Sequence, residues 1–328
     1  MKKIFIVLFL APLCLLAQKT NYKIEKEFSI KSGGGWDYLI VNQNKLYVSH
    51  GIQVNVLDKN TGDSLGVIMN TTGVHGIAFE PSNSIGFTSN GRLNNVFAFN
   101  ISTNEVIATI ATGANPDAIF YEPFTKTIIT CNGSGKSLSF INAKTYELIA
   151  TTDVGGKPET AVSDEAGNIY VNIEDKNEII KVNVVSHKIE QHWKLDPLEE
   201  PTGLSIDLST KRLFAGGDKL LAVVNMENGK LVTTIPIGEG CDGVAFDNKN
   251  KLIFTSNGTG TMSVIKEVNA NKFETVQTLI TTRGARTIAI DDATGTVYIP
   301  TAKFEPQAAG AKERPKMIPG SFTILKIK

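Results

Sequence analysis

The residues best suited to chemistry in this chain are polar side chains that recur at a nearly constant interval. Consecutive members lie 38 to 44 residues apart, and the set is Asp37, His75, Asp117, Glu159, Thr202, Asp242 and Arg286. Converging carboxylates raise one another's pKa unless a cation compensates, and their oxygens are the ligands that Ca²⁺ and Mg²⁺ prefer. If the fold gathers these residues, it predicts a divalent cation site formed by Asp37, Asp117, Glu159 and Asp242.

Each of these polar residues begins a similar short apolar segment, such as Asp37-Tyr-Leu-Ile-Val-Asn42 or Asp242-Gly-Val-Ala-Phe-Asp247. Repeats of about 40–45 residues built from short apolar strands are typical of β-propeller blades. Seven copies predict an all-β, seven-bladed β-propeller of four-stranded antiparallel blades. In the second blade, for example, the pattern predicts strands over residues 76–79, 85–89, 96–100 and 105–110.

The predicted topology places the start of each inner strand, and the end of each second strand, at the mouth of the central channel. We therefore expect one funnel lined by Trp36, Asp37, His50, His75, Asn90, Asp117, Asn132, Glu159, Asp242, Asn257, Arg286 and Arg314. His75 and Glu159 are candidate bases, and His50 with His75 could serve a softer metal or proton transfer. The alternative is a wet channel whose polar residues only cap strands and join blades.

The two ends of the predicted propeller complement each other. The seventh blade lacks a fourth strand after residues 322–327, whereas residues 22–30 alternate apolar and polar side chains before the first blade. Alternation with period two is typical of a strand with one packed face. We therefore expect the N-terminal strand to pair into the C-terminal blade and close the ring, which removes two exposed sheet edges.

A long insertion, residues 303–320, separates the second and third predicted strands of blade 7. Loops of this length in compact domains are usually functional or disordered. The connectivity places this one over the funnel, and its basic residues Lys312, Arg314 and Lys316 would make that part of the rim positive. A lid and a solvated spacer both fit the sequence.

The N-terminal residues 1–17 are typical of a secretory signal peptide, because Lys2 and Lys3 precede a short apolar run over residues 4–16. We expect residues 18–328 to form one propeller domain that is periplasmic or secreted, has no membrane span and is monomeric. Cys131 and Cys241 are expected to be small buried hydrophobes. The 33 acidic and 33 basic residues balance, which argues against nucleic acid as a partner.

Three stretches resemble exported β-propellers of the YncE-like, YVTN-repeat family. They are Pro116-Asp-Ala-Ile119, the Ser-Asn-Gly that ends second strands (Ser89-Asn-Gly91), and the closing segment over residues 313–325. The resemblance covers essentially the whole chain after the leader. Related propellers include lactonases, d1-haem-associated proteins and subunits of quinoprotein dehydrogenases, and some relatives are described as binding DNA. The resemblance therefore implies a fold without selecting one activity.

Three functional hypotheses follow from these patterns. The leading one is a binding protein with a polar ligand or metal site at the funnel, whose partner is a small molecule or a protein. The second is a metal-assisted lactonase or hydrolase with His75 or Glu159 as the base. The third is an accessory protein for a tetrapyrrole, with His50 or His75 as an axial ligand.

Overall fold

The computed structural model describes residues 21–82, 84–306 and 315–328, and these residues form seven four-stranded antiparallel sheets arranged as a propeller. The predicted fold is therefore confirmed. The predicted signal peptide, residues 1–17, lies outside the described residues, as do Lys312 and Arg314 of the insertion. Within the described ranges, no helix is long and apolar enough to cross a membrane.

The strands follow the chain blade by blade, with one exception at the N-terminus. The chain begins with β1 (Ile24–Ser29), and blade 1 then contains β2 (Trp36–Asn42), β3 (Lys45–His50), β4 (Gln53–Asp58) and β5 (Ser64–Ile68). Blade 2 contains β6 (Val74–Phe79), β7 (Ile85–Asn90), β8 (Asn95–Asn100) and β9 (Val106–Ala111); blade 3 contains β10 (Pro116–Glu122), β11 (Thr127–Asn132), β12 (Ser137–Asn142) and β13 (Leu148–Asp153); and blade 4 contains β14 (Pro158–Ser163), β15 (Asn168–Ile173), β16 (Glu178–Asn183) and β17 (Lys188–Lys194). Blade 5 contains β18 (Gly203–Asp207), β19 (Arg212–Gly216), β20 (Leu220–Asn225) and β21 (Leu231–Pro236); blade 6 contains β22 (Cys241–Asp247), β23 (Leu252–Asn257), β24 (Thr261–Asn269) and β25 (Lys272–Ile280); and blade 7 contains β26 (Ala289–Asp291), β27 (Thr296–Thr301) and β28 (Thr323–Ile327). Two short 3₁₀ helices, Gly91–Leu93 and Glu174–Lys176, follow the second strands of blades 2 and 4.

The recurring acidic residue at the end of the inner strands stabilises the turn that follows it. In blade 3, the carboxylate of Glu122 accepts hydrogen bonds from the backbone N–H of Phe124 and Thr125 at 3.0 and 2.7 Å. The turns between third and fourth strands use the same device, since Asn142 Oδ1 accepts from the N–H of Lys144 and Thr145, both at 2.9 Å. Acidic and asparagine side chains recur at these turns in successive blades because they hydrogen-bond the backbone just ahead of them.

The ring closes as the alternation predicted. Strand β1 pairs antiparallel with β28, so the N-terminal strand supplies the fourth strand of blade 7. Phe28 points inward, is buried, and lies with its ring centroid 6.5 Å from that of Tyr298. The N-terminal and C-terminal segments therefore share one core with blade 1.

Glycines allow the inner strands of neighbouring blades to approach closely around the channel. A Cβ built on Gly76 would lie 2.7 Å from Cγ2 of Ile119, and one built on Gly243 would lie 2.9 Å from Cγ2 of Ile288. Real Cβ contacts are rarely this short, so larger residues at these positions would push adjacent blades apart.

Blade 7 departs from the predicted repeat at its inner strand. The sequence pattern predicts a strand over residues 286–290, but β26 begins at Ala289. The cause is local, because Thr287 has a φ of +54° and leaves the extended conformation. Its hydroxyl donates to the backbone carbonyl of Asp37 at 2.7 Å, which ties blade 7 to blade 1 at the channel.

Candidate functional site

The seven recurring polar residues line one cavity at the centre of the propeller. This central cavity has a volume of about 470 Å³, and its walls include Asp37, His75, Asp117, Glu159, Thr202, Asp242 and Arg286. All come from the beginning of an inner strand or, in blades 5 and 7, from the residues just before it. Residues spaced about 42 positions apart in the sequence therefore form a ring around the central cavity.

Irregular strand pairing directs most of these side chains into the cavity. In blade 1, Trp36 pairs with His50 and Leu39 with Val48, so Asp37 and Tyr38 both lie opposite Ser49. The same register shift occurs at the start of the inner strands of blades 2, 3, 4 and 6. Such β-bulges re-aim side chains and are common beside functional sites.

The first sector of the ring joins blades 1, 2 and 3. Nδ1 of His75 lies 2.5 Å from Oδ2 of Asp37 and 3.8 Å from Oδ1 of Asp117. Burial lowers the pKa of His75, but the hydrogen bond to Asp37 and the negative charge of Asp117 outweigh it and raise the pKa to about 9. Burial and the charge of Asp37 raise the pKa of Asp117 to about 7.

The second sector belongs to blade 4. Nζ of Lys157 lies 2.5 Å from Oε1 of Glu159 and also contacts Oε2 of Glu174. Burial and the charge of Asp117 raise the pKa of Glu159 to about 8, although Lys157 opposes this shift. Glu159 is therefore a carboxyl group that can exchange a proton close to neutral pH.

The third sector joins blades 6 and 7. Nη1 of Arg286 donates to Oδ2 of Asp242 at 2.8 Å, and Nη2 donates to the backbone carbonyl of Trp36 at 3.4 Å. Burial raises the pKa of Asp242 against the opposing charge of Arg286. The four carboxylates expected to share one cation are thus divided, since Glu159 and Asp242 have basic partners while Asp37 and Asp117 meet at His75.

Tyr38 also lies on the wall of the central cavity. Its ring packs against the apolar core of blades 3 and 4, although it originates from blade 1. Burial, followed by the charges of Asp117, Asp37 and Glu159, raises the pKa of its hydroxyl well above the usual value. Tyr38 therefore supplies a neutral hydroxyl group to the cavity wall.

Several of the expected funnel residues do not line the central cavity. His50 is fully buried, and its Nδ1 accepts from Ser32 Oγ at 2.6 Å while its Nε2 donates to the carbonyl of Gly34 at 2.9 Å. The imidazole also stacks on Phe322 with centroids 4.0 Å apart, and burial lowers its pKa. With both nitrogens engaged, His50 is held away from the cavity and has no free position for a metal or a tetrapyrrole.

The asparagines that end the second strands are also internal. Asn132 is buried, accepts from Thr130 Oγ1 at 2.9 Å, and donates to Ser137 and Ser139 at 3.1 and 2.9 Å. The equivalent Asn90 and Asn257 are bonded within their own blades in the same manner. The recurrence of asparagine at this position is therefore explained by a similar hydrogen-bond network within each of these blades. Cys131 and Cys241, the cysteines of the described ranges, are both buried, and Cys241 reaches the cavity wall.

The sequence interpretation missed four charged residues of the central cavity and its wall residue Tyr38. The charged residues are Lys157, Glu174, Glu200 and Asp218. Glu174 directly follows β15, the second strand of blade 4. The residues that end the second strands were expected at the channel mouth, so including the next residue of each blade in that set would have identified Glu174. Seven carboxyl groups on the wall face Lys157, Arg286 and His75, and this excess makes the cavity attractive to cations.

Comparison with known proteins identifies the fold and leaves the activity open. No protein-family model matches the chain, and no curated protein matches it. Among solved structures, a chain of hydrazine synthase from Kuenenia stuttgartiensis is similar, with a TM-score of 0.72 and 12% identity, covering 82% of this chain and 94% of that one. At this identity the likeness concerns the β-propeller fold alone, and a fold by itself does not specify a function.

Proposed function

We propose that this chain is an exported, YncE-like β-propeller that binds a divalent metal ion between Asp37, His75 and Asp117. One observation carries the proposal. Each of these residues offers a ligand atom, and the three atoms lie within 4.8 Å of one another on the wall of the central cavity. Three ligands from three blades would leave further coordination positions open toward the cavity, where a small molecule or a partner's side chain could complete them.

The donor set favours a particular class of metal. One imidazole nitrogen with two carboxylate oxygens suits first-row divalent transition ions such as Zn²⁺, whereas Ca²⁺ and Mg²⁺ prefer oxygen alone. Nδ1 would be the ligating nitrogen of His75, because it is the atom that faces both carboxylates. The surrounding carboxyl groups, including Glu159 and Glu174, would further stabilise a bound cation.

Calorimetric titration after exhaustive dialysis against a chelator tests the proposal. We expect Zn²⁺ to bind with a stoichiometry of one and Ca²⁺ to bind far more weakly. Asp117→Asn should weaken zinc binding by about tenfold or more, since a charged ligand is lost. Asp218→Asn is the matched control, because Asp218 lies on the same cavity outside the proposed ligand set. Equal losses in both variants would contradict the assignment.

Metal-assisted hydrolysis is a second candidate, favoured by the environment of Glu159. A carboxyl group with a pKa raised to about 8 in the same cavity is suited to proton transfer at neutral pH. If this activity exists, zinc-loaded protein should hydrolyse lactones or esters, and Glu159→Gln should abolish turnover while zinc binding persists. Zinc-loaded protein that releases no product from a lactone panel would leave metal binding as the function.

A further inference from the structure

A second and larger cavity adjoins the central one. It has a volume of about 1020 Å³ and lies between the base of the blade 7 insertion and the neighbouring blades 6 and 1. We call it the side cleft. Its walls include Gly35, Trp36, Arg283, Lys303, Phe304 and Met317. It meets the central cavity at Gly258 and Arg286, which line both.

The walls of the side cleft are largely apolar. The rings of Trp36 and Phe304 lie 6.1 Å apart between centroids, and a β-bridge joins Phe304 to Met317. Phe304 lies over Gly284, where an added Cβ would come within 2.7 Å of the ring. Aromatic rings and glycine backbone together form flat surfaces that suit a flat apolar ligand.

The charged groups of the side cleft are mainly basic. Arg283 and Lys303 both contribute to its lining, and neither side chain has an ion-pair partner within the described part of the chain. Arg286 stands at the junction with the central cavity, where one of its nitrogens binds Asp242. Glu305 is the one carboxyl group among the described lining residues. Cations that have no ion-pair partner among the described residues, beside an apolar surface, are complementary to an anion with an apolar body.

We propose that the side cleft binds a small carboxylate with a flat, apolar body. The carboxylate would pair with Arg283 and Lys303, since a guanidinium matches a carboxylate with two parallel hydrogen bonds. The apolar body would lie against Trp36, Phe304 and Met317. This inference deepens the proposed function, because it names the class of ligand that would lie beside the proposed metal site, but cleft binding itself requires no metal.

Trp36 provides a direct reporter of binding. The chain has two tryptophans, and Trp193 stacks on Tyr170 in the core of blades 4 and 5. In a Trp193→Phe background, fluorescence reports on Trp36 alone. The probe is naphthalene-2-carboxylate, and its neutral amide is the matched control ligand. We expect the acid to change Trp36 fluorescence saturably and to bind about tenfold or more tightly than the amide, as a charge-assisted bond predicts.

Two pairs of variants separate anion recognition from apolar filling. Arg283→Met with Lys303→Met should remove the preference for the acid, whereas Lys249→Met, which neutralises a lysine outside the cleft, should leave it unchanged. A Cβ added at Gly35 would meet no atom within 4 Å, and Gly35 lines the cleft, so Gly35→Leu should fit the fold and block binding. Gly33→Leu is its control, since Gly33 is equally open but is not among the lining residues.

The outcomes distinguish this inference from the metal proposal. Chelator treatment and Asp117→Asn should leave binding of the acid intact, while Arg283→Met with Lys303→Met should leave zinc binding intact. Equal affinity for the acid and the amide, or unchanged acid binding in Gly35→Leu, would overturn the side-cleft proposal whatever the zinc titration gives. Failure of zinc to bind, with selective acid binding retained, would overturn the metal proposal alone.

Discussion

Nδ1 of His75 lies 2.5 Å from Oδ2 of Asp37, although the two residues are 38 positions apart in the sequence. The contact joins the inner strands of blades 1 and 2 at the wall of the central cavity. On the opposite edge of the imidazole, Nε2 lies against Gly91, where an added Cβ would come within 2.6 Å of it. The ring is thus held with Nδ1 toward Asp37 and Asp117.

The acid–base behaviour of His75 tests this arrangement in metal-free protein. Its pKa, raised to about 9, exceeds the ordinary value of 6.5, so protonation of His75 stabilises the fold. That stabilisation is complete below pH 6.5 and is lost as the pH rises through 9. Nuclear magnetic resonance of chelated protein should show His75 titrating near pH 9, and Asp37→Asn should lower that value. A midpoint near 6.5 in the unmutated protein would refute the contact.

Replacement of Gly91 by alanine should disturb His75 without altering a ligand. The new methyl group would overlap Nε2 of His75 and Oδ1 of Asn115, because each of these atoms lies 2.6 Å from the position that Cβ would occupy. We expect zinc affinity to fall, as measured by calorimetry, while the protein still folds. Gly133→Ala is a suitable control, since its nearest neighbour lies at 3.4 Å. Unchanged zinc affinity in Gly91→Ala would show that the imidazole position is unimportant.

Closure of the ring by β1 predicts a large effect from one side chain. Phe28 is buried among residues of blades 1 and 7, so Phe28→Ala should reduce the free energy of unfolding by about 3–5 kcal/mol. Glu27→Ala alters the exposed face of the same strand and should change it by less than about 0.5 kcal/mol. Denaturant unfolding measures both. Similar small values for the two variants would mean that β1 does not seal the core.

A buried carboxyl pair between blades 5 and 6 predicts a pH-dependent stability. Burial and the adjacent Asp207 raise the pKa of Glu267 to about 6, above the ordinary 4.5, although Thr210 opposes the shift. The contribution of protonated Glu267 to the free energy of unfolding is therefore present below pH 4.5 and is lost as the pH rises through 6. Glu267→Gln should stabilise the protein at pH 8 by up to about 2 kcal/mol, and by much less at pH 5. A gain that is equal at both pH values would contradict this interpretation.

The repeat was sufficient to predict the fold and the ring of polar residues. Because the inner strands recur at a nearly constant interval, equivalent residues lie at equivalent places around the propeller axis. Asp117 and Asp242 could therefore be assigned to one cavity from the sequence. The turns between third and fourth strands could also be identified from the sequence, because Asp or Asn recurs there every 41 or 42 residues, at Asp58, Asn100, Asn142, Asn183 and Asn225. The role of Asn142, for example, depends only on residues two and three positions ahead of it. Local and periodic features are the ones that a single sequence expresses.

The pairing within the ring could not be read in the same way. Whether Glu159 shares a cation with Asp117 or binds Lys157 depends on side-chain reach and on neighbours outside the aligned column. His50 illustrates the same limit. Its position at the end of a second strand predicted a place at the channel mouth, but Ser32 and Gly34, from the segment before blade 1, hydrogen-bond both of its ring nitrogens. Contacts between non-equivalent positions carry no periodic signal.

The most direct test of the central proposal is anomalous diffraction from crystals grown with one equivalent of Zn²⁺ after chelator dialysis. The account predicts an anomalous peak at the zinc edge in the central cavity, about 2.0–2.2 Å from Nδ1 of His75 and from a carboxylate oxygen each of Asp37 and Asp117. The same peak should be absent from crystals of Asp117→Asn. An unmutated crystal with no peak between these three residues, or with zinc bound elsewhere in the propeller, would contradict it.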